Sequence, residues 1–324
     1  MPSFPPKEKT TVCFAHVAYQ LAARFALRNT GVQHFQVWNR DDMLARIGEA
    51  DVLVCSMMWH DDALARSPRL GFVQSVGAGT DQFPKDKLKA RGVRLASARG
   101  VNVRAVSEHA LGLILALTRR LGEARDNQMK RHWRGMISDI GAREDELGGK
   151  TIAIVGLGGI GDRLAHLCKA LDMRVIGLRS DPAKGKGHAD EVHGIKALSQ
   201  ALPQADIVAL CCPLTPETER LIGAKELGLM KPSAYLVNVA RGKVVDEPAL
   251  VQALSQNRIA GAGIDVTAEE PLAPTSSLWS MPHVILTPHT AGETQKYEDN
   301  VVDVLLDNLA RLWRGEGELR NQVV

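Results

Sequence analysis

TIAIVGLGGIG, residues 151–161, decides how this chain is read. Thr151 to Val155 is a run of apolar and β-branched residues of strand length, and Asp162 to Leu171 has helical character. Between them stand Gly156, Gly158 and Gly161 in G-x-G-x-x-G spacing. The spacing alone is a weak signal. A strand before it and a helix after it give the context of a dinucleotide-binding turn. Gly156 permits the tight turn, Gly158 lets the backbone approach a pyrophosphate, and Gly161 lets helix and strand pack closely. The helix N-terminus attracts the phosphate charge.

Outward from this turn, strand-like and helical runs alternate on both sides. Thr11 to Val17, Gln33 to Trp38, Asp51 to Ser56, Leu70 to Val76 and Val93 to Ala96 read as strands before it. A second series follows: Thr151 to Val155, Met173 to Leu178, Asp206 to Cys211, Ala234 to Val239, Gly261 to Val266 and His283 to Leu286. Strands alternating with helices predict parallel sheets covered on both faces, so the chain is α/β with two such units. Between them, Val106, Ala110, Leu113, Ile114 and Leu117 recur at helical spacing. A helix that apolar must be buried, which predicts hinge packing or a subunit interface. Tyr297, Val301, Val304, Leu305, Leu309, Leu312 and Trp313 form one apolar stripe, with Gly315 as a stop.

Composition excludes several functions. The chain has 324 residues, 45% of them hydrophobic, and a net charge of +3 from 40 basic and 37 acidic side chains. No basic run suits a nucleic-acid backbone, so no nucleic-acid partner is expected. Met1 to Thr10 is polar and does not read as a signal peptide, and Ala110 to Leu117 is too short to span a bilayer. A soluble, cytoplasmic protein without a membrane partner is expected. Cys13, Cys55, Cys168, Cys211 and Cys212 lack metal-ligand spacing and read as reduced structural residues, so no metal site is predicted.

In open α/β sheets ligands bind beyond the carboxyl ends of the strands. Arg241 follows LVNVA, Glu270 comes shortly after AGIDV, and His289 follows VILTP. Each alone is unremarkable. Together they supply what nicotinamide-dependent reduction of a 2-oxo acid requires: a fixed cation for carboxylate and carbonyl, a proton donor for the nascent alkoxide, and a carboxylate favouring the donor's charged form.

The chain resembles the D-isomer-specific 2-hydroxyacid dehydrogenase family along most of its length. The blocks carrying the likeness are SVGAGTDQ (75–82), VSEHALGLILALTRR (106–120), TIAIVGLGGIG (151–161), CPLTPET (212–218), LVNVARGKVVDEPAL (236–250), GIDVTAEEPL (263–272) and TPHTAGET (287–294). The resemblance implies a Rossmann cofactor domain, residues 103–291, inserted into a flavodoxin-like substrate domain formed by 1–102 and 292–324. It implies that the C-terminal helix packs on the first domain and that the protein is a homodimer. Val76, Gly77, Ala78 and Gly79 would bind the substrate carboxylate through backbone amides, beside Arg241. Cofactor contacts would extend to Gly159, Ile160, Cys212, Pro213, Thr218, Ala240, His289 and Asp265, the last holding the nicotinamide carboxamide or else capping a turn. His289 and Glu270 fall on the family's proton-donor pair. Trp133 resembles an aromatic at the mouth of the substrate cleft.

Cofactor choice turns on the end of the second strand of the cofactor unit. An acidic residue there binds the ribose hydroxyls of NAD, whereas arginine or a small hydroxyl suits the phosphate of NADP. Arg179 and Ser180 occupy those positions; Asp181 comes two places late and begins an Asp-Pro turn, so NADP is favoured over NAD. The reaction expected is reversible reduction of a small 2-oxo acid to the D-2-hydroxy acid. Two other classes fit the same scaffold: a nicotinamide-sensing corepressor, and a dehydrogenase oxidising a small inorganic anion such as phosphite.

Overall fold

The structure is a computed structural model describing residues 4–324; Met1 to Ser3, the start of the polar N-terminal stretch, lie outside the described residues. The chain forms two compact units. One comprises the residues through Asn102 together with Thr294–Val324, and the other is Val103–Glu293.

In the first unit five strands, β1 (Thr11–Ala15), β2 (Gln33–Val37), β3 (Val52–Cys55), β4 (Phe72–Ser75) and β5 (Arg94–Ala96), pair in parallel in the order β2-β1-β3-β4-β5. That order is the flavodoxin-like arrangement. The sequences VLVC and FVQS are buried at every position because helices cover both faces. The apolar stripe of helix Tyr297–Trp313 packs with Val12, Phe14 and Phe25, so the C-terminal helix belongs to this unit. Gly315 follows the helix at φ +70° and stops it. Asn308 is buried on that helix and donates to Gln74 Oε1 at 2.9 Å, while its Oδ1 accepts from Arg320 N at 2.7 Å. These bonds tie the last turn of chain to β4.

The second unit holds seven parallel strands: β6 (Thr151–Val155), β7 (Arg174–Arg179), β8 (Glu191–Gly194), β9 (Ile207–Leu210), β10 (Tyr235–Asn238), β11 (Gly261–Ile264) and β12 (Val284–Leu286). Their order, β12-β11-β10-β9-β6-β7-β8, reverses direction at β6, which places the glycine turn at the switch point of a Rossmann sheet. The fold class expected from the sequence is therefore the one observed. β8 is a strand the sequence reading lacks. It is an edge strand of sequence EVHG with no buried residue, so it carries no apolar run to betray it.

Helix Val103–Thr118 differs from expectation in what it covers. Val106, Ala110, Leu113, Ile114 and Leu117 are buried in this unit's own core, against β10, β11 and helix Gly159–Lys169. A Cβ at Gly263 would lie 3.0 Å from Leu113 Cβ, so the glycine lets helix and β11 meet. The apolar face is thus consumed within the unit.

Candidate active site

The glycine turn is built around one close backbone approach. Gly156 has φ +100°, and a Cβ there would stand 2.5 Å from Cys212 N, so only glycine lets the end of β6 lie on the Cys211–Cys212 backbone. A Cβ at Gly161 would collide with the Gly156 carbonyl, which fixes helix Gly159–Lys169 close on β6. Gly158 has nothing within 4 Å of its would-be Cβ. It stands at the N-cap of that helix with open space over it, as a pyrophosphate requires. Glycines placed in this way fit a dinucleotide.

At the end of β7, Arg179 donates from Nη1 to Gly185 O at 3.0 Å, with no other hydrogen-bond partner for its fork among the described residues, and Ser180 is exposed. Asp181 accepts from Ala183 N at 3.1 Å and caps the turn Pro182–Lys184. Its carboxylate therefore has a structural partner already. Asp162 accepts from His188 N and Nδ1 at 2.8 and 3.0 Å, which pins the following loop to the helix. In the LTPET segment, Thr218 Oγ1 donates to Pro213 O at 2.6 Å and accepts from Thr215 N at 2.7 Å. No helix begins there; the next starts at Ala224.

The three chemical residues stand past the ends of adjacent parallel strands β10, β11 and β12. Arg241 ends a turn held by buried Asn238, whose side chain accepts from Ala240 N at 3.0 Å and donates to Arg241 O at 3.1 Å. Gly242 then lies against the Thr267–Ala268 backbone so closely that no Cβ fits. The arginine turn and the turn leading to Glu270 are thereby locked together. Neither Asn238 nor Gly242 was singled out from sequence; an asparagine and a glycine flanking a strand-end arginine were the available signal.

His289 Nδ1 and Glu270 Oε2 are 2.7 Å apart. An ionised carboxylate only accepts, so Nδ1 carries the proton and Nε2 faces away from the pair. With side chains 47% and 39% exposed, such a pair contributes about 0–1 kcal/mol to stability, so its geometry is not explained by folding. Glu270 Oε1 also accepts from Thr267 N at 3.2 Å, fixing the carboxylate plane. Asp265 is buried, and its carboxylate accepts from Thr287 Oγ1 (2.6 Å), Thr290 N (3.0 Å) and Ala291 N (3.1 Å). Its turn-capping role is plain in this geometry.

In the first unit the loop after β4 is narrower in its offering than expected. Val76 N donates to Cys55 O at 3.1 Å and Gly77 N to Ser56 Oγ at 3.0 Å. Among the described residues, the amides of Ala78 and Gly79 have no protein partner and are the ones left for a ligand. Ser75 Oγ donates to Gly77 O at 2.9 Å and Tyr297 Oη to Val76 O at 2.8 Å, so both side chains hold the loop, a role their places in the sequence do not announce. Trp59 is buried edge-on against Phe83 in this unit's core. All five cysteines are unpaired. Burial pushes the thiols of Cys13 and Cys168 up to about 12 and that of Cys212 to about 11, so they are inert structural groups.

A glycine turn at the switch point of a Rossmann sheet, with a carboxylate-paired histidine and an arginine at neighbouring strand ends, defines a dinucleotide-dependent oxidoreductase. Comparison with known proteins carries this further. Residues 111–291 match the family described as D-isomer specific 2-hydroxyacid dehydrogenase, NAD binding domain. A glyoxylate reductase of Thermococcus gammatolerans is 35% identical over 88% of this chain and 88% of its own. A D-isomer specific 2-hydroxyacid dehydrogenase family protein of Aeromonas salmonicida superposes with a TM-score of 0.85 at 29% identity, covering 98% of this chain and 99% of its own. An NADPH-dependent glyoxylate/hydroxypyruvate reductase of Sinorhizobium meliloti gives a TM-score of 0.81 at 26% identity, with 97% of each chain covered.

The chain belongs to the D-isomer specific 2-hydroxyacid dehydrogenase family. It is an NAD(P)-dependent oxidoreductase that interconverts 2-oxo and 2-hydroxy acids. The corepressor and inorganic-anion readings are not favoured by these relatives. Among the described residues, no helix is long and apolar enough to cross a membrane.

Proposed function

We propose that this protein reduces glyoxylate, hydroxypyruvate or a similarly small 2-oxo acid to the D-2-hydroxy acid with NADPH, and that His289 is the proton donor. The observation that carries the reading is the 2.7 Å pair of His289 and Glu270 beyond the carboxyl ends of β11 and β12. When bound, the nicotinamide supplies a hydride from C4 to C2 of the substrate. His289 gives a proton from Nε2 to the resulting alkoxide, while Glu270 holds Nδ1–H and balances the ring's charge. Arg241 orients the substrate carboxylate and carbonyl with its planar fork. The loop Val76–Gly79 offers the amides of Ala78 and Gly79 to a carboxylate. Gly156 to Gly161, Cys212, Pro213, Thr218, Ala240 and Asp265 shape the cofactor site, and Asp265 orients the carboxamide through the turn it caps.

NADPH is preferred because Arg179 and Ser180 stand where an acidic residue would bind ribose, and because Asp181 is occupied with Ala183 N. The NADPH dependence of the Sinorhizobium meliloti relative supports this. Initial rates of NADPH and NADH oxidation with glyoxylate, hydroxypyruvate, pyruvate and phenylpyruvate test it together. Glyoxylate and hydroxypyruvate should be fastest and NADPH the better cofactor. Arg179→Ala should erase most of the NADPH advantage, because one charge-assisted pair to a phosphate contributes about 1.5–3 kcal/mol, roughly a 10-fold to 100-fold effect. Equal rates with both cofactors in the parent protein would reject the preference.

The protein works as a cytoplasmic homodimer in this reading, and free cysteines suit a reducing compartment. The dimer surface is not helix Val103–Thr118 but the segment after it. Helix Leu121–Met129 buries no residue, and beyond it Trp133, Met136 and Ile140 are 96%, 102% and 79% exposed. Arg143 Nε donates to Ile137 O at 2.8 Å, so the segment is a held loop presenting apolar side chains outward. Such a patch favours an isologous contact with a second copy. Trp133→Ser combined with Met136→Ser should convert a dimer to a monomer by light scattering; a parent protein that is already monomeric would reject the arrangement.

A further inference from the structure

The backbone of His289 lies in the left-handed region at φ +55°, an uncommon conformation for a residue other than glycine. Something must hold it there. His289 N donates to Asp265 O at 2.8 Å and to Thr287 O at 3.0 Å. The buried Asp265 carboxylate grips the residues on either side, through Thr287 Oγ1, Thr290 N and Ala291 N. One more side chain reaches this clamp from outside the loop. His109, on helix Val103–Thr118, places Nε2 2.9 Å from Thr287 Oγ1 and 3.6 Å from Asp265 Oδ1.

The proton inventory fixes the direction of these bonds. A threonine hydroxyl has one hydrogen, and at 2.6 Å from a carboxylate that can only accept, it is given to Asp265. Thr287 Oγ1 can then only accept from His109, so Nε2 of His109 carries a proton. The chain runs from His109 Nε2–H to Thr287 Oγ1–H to Asp265. Asp265 in turn receives the amides beyond His289 and offers its carbonyl to the amide of His289 itself. His109 stands on an element whose apolar residues are embedded in the sheet, so it has a rigid base.

We infer that His109 is a positioning residue for the reaction: through Thr287 and Asp265 it sets the loop 287–291 so that His289 is aimed at the substrate oxygen. This rests on the reading of His289 as proton donor. His109 does not touch the reacting atoms and acts only through that histidine.

Steady-state kinetics with glyoxylate and NADPH on His109→Leu, His109→Gln, Thr287→Val and His289→Gln, with each combined pair, test the inference. His109→Leu should lower kcat about 10-fold to 100-fold, the effect of misplacing a reacting group by about an ångström, with NADPH binding by fluorescence titration unchanged. His109→Gln, whose amide can donate to Thr287, should recover most of that loss. In the His289→Gln background, adding His109→Leu should cause no further loss, and His109→Leu with Thr287→Val should match the worse single variant. If the His109→Leu loss persists in full when His289 is already gone, His109 acts elsewhere and the inference falls. A His289→Gln protein as active as the parent would instead overturn the proton-donor reading itself. Should His109→Leu fail to fold, judged by thermal unfolding, Thr287→Val cuts the same link from the loop side and carries the same comparison.

Discussion

Replacing His289 by glutamine is expected to lower kcat for 2-oxo acid reduction by about 10²-fold to 10⁴-fold, the range that a positioned general acid contributes. Binding of NADPH should be nearly unchanged, because the glycine turn at Gly156 and the β7 end at Arg179 are built by other residues. Glutamine retains a hydrogen-bonding tip for Glu270, so the loop should keep its place while losing a group able to give up a proton. Stopped-flow rates with a matched fluorescence titration check both halves. Loss of cofactor binding alongside turnover would show that His289 holds the site together and does not act as an acid. The half-exposed Glu270–His289 pair gives this substitution little leverage on stability, so the melting temperature should move little.

Two alanine substitutions in the glycine turn should separate folding from binding. Gly156→Ala places a Cβ 2.5 Å from Cys212 N at φ +100°. The left-handed strain alone costs about 1–3 kcal/mol, and the Cys211–Cys212 backbone must also move. The melting temperature should fall by roughly 5 °C or more, and dinucleotide binding should be lost with it. Gly158→Ala meets nothing within 4 Å and has an ordinary φ of −94°, so its fold should be as stable as the parent's. Its Cβ would intrude only on a pyrophosphate, so binding should weaken alone. Calorimetry with and without NADPH reads both effects; a Gly158→Ala protein that binds NADPH normally would remove that glycine from the cofactor site.

The limits of legibility follow from how each feature is encoded. Strands buried on both faces, such as TIAIV and VLVC, announce themselves as continuous apolar runs, and the strand series read from them is the one the structure holds. β8, an exposed edge strand reading EVHG, has no such run and was invisible. Arg241, Glu270 and His289 were legible as candidates because ligands bind beyond the strand ends of an open α/β sheet and their residue types suit one reaction. Their supports were not found. Gly242, Thr287 and His109 matter through contacts with segments up to 178 residues away in the chain, and spacing along a sequence does not report such contacts; Asn238 acts on Ala240 and Arg241 beside it, through a turn whose shape its identity alone does not report.

The sequence by itself determined the α/β class, the dinucleotide turn and the family, and it singled out Glu270 and His289 as the candidate acid–base pair, because each is written in local patterns of polarity, glycine and charge. Only the tertiary structure decided which face of helix Val103–Thr118 was already covered and which amides of the Val76–Gly79 loop were still free. It alone decided that Asp181 was occupied and that His289 is held at a left-handed angle by a clamp reaching back to His109. Those outcomes depend on which polar group meets which partner across the fold, and hydrogen-bond satisfaction is a property of packed space, not of sequence order.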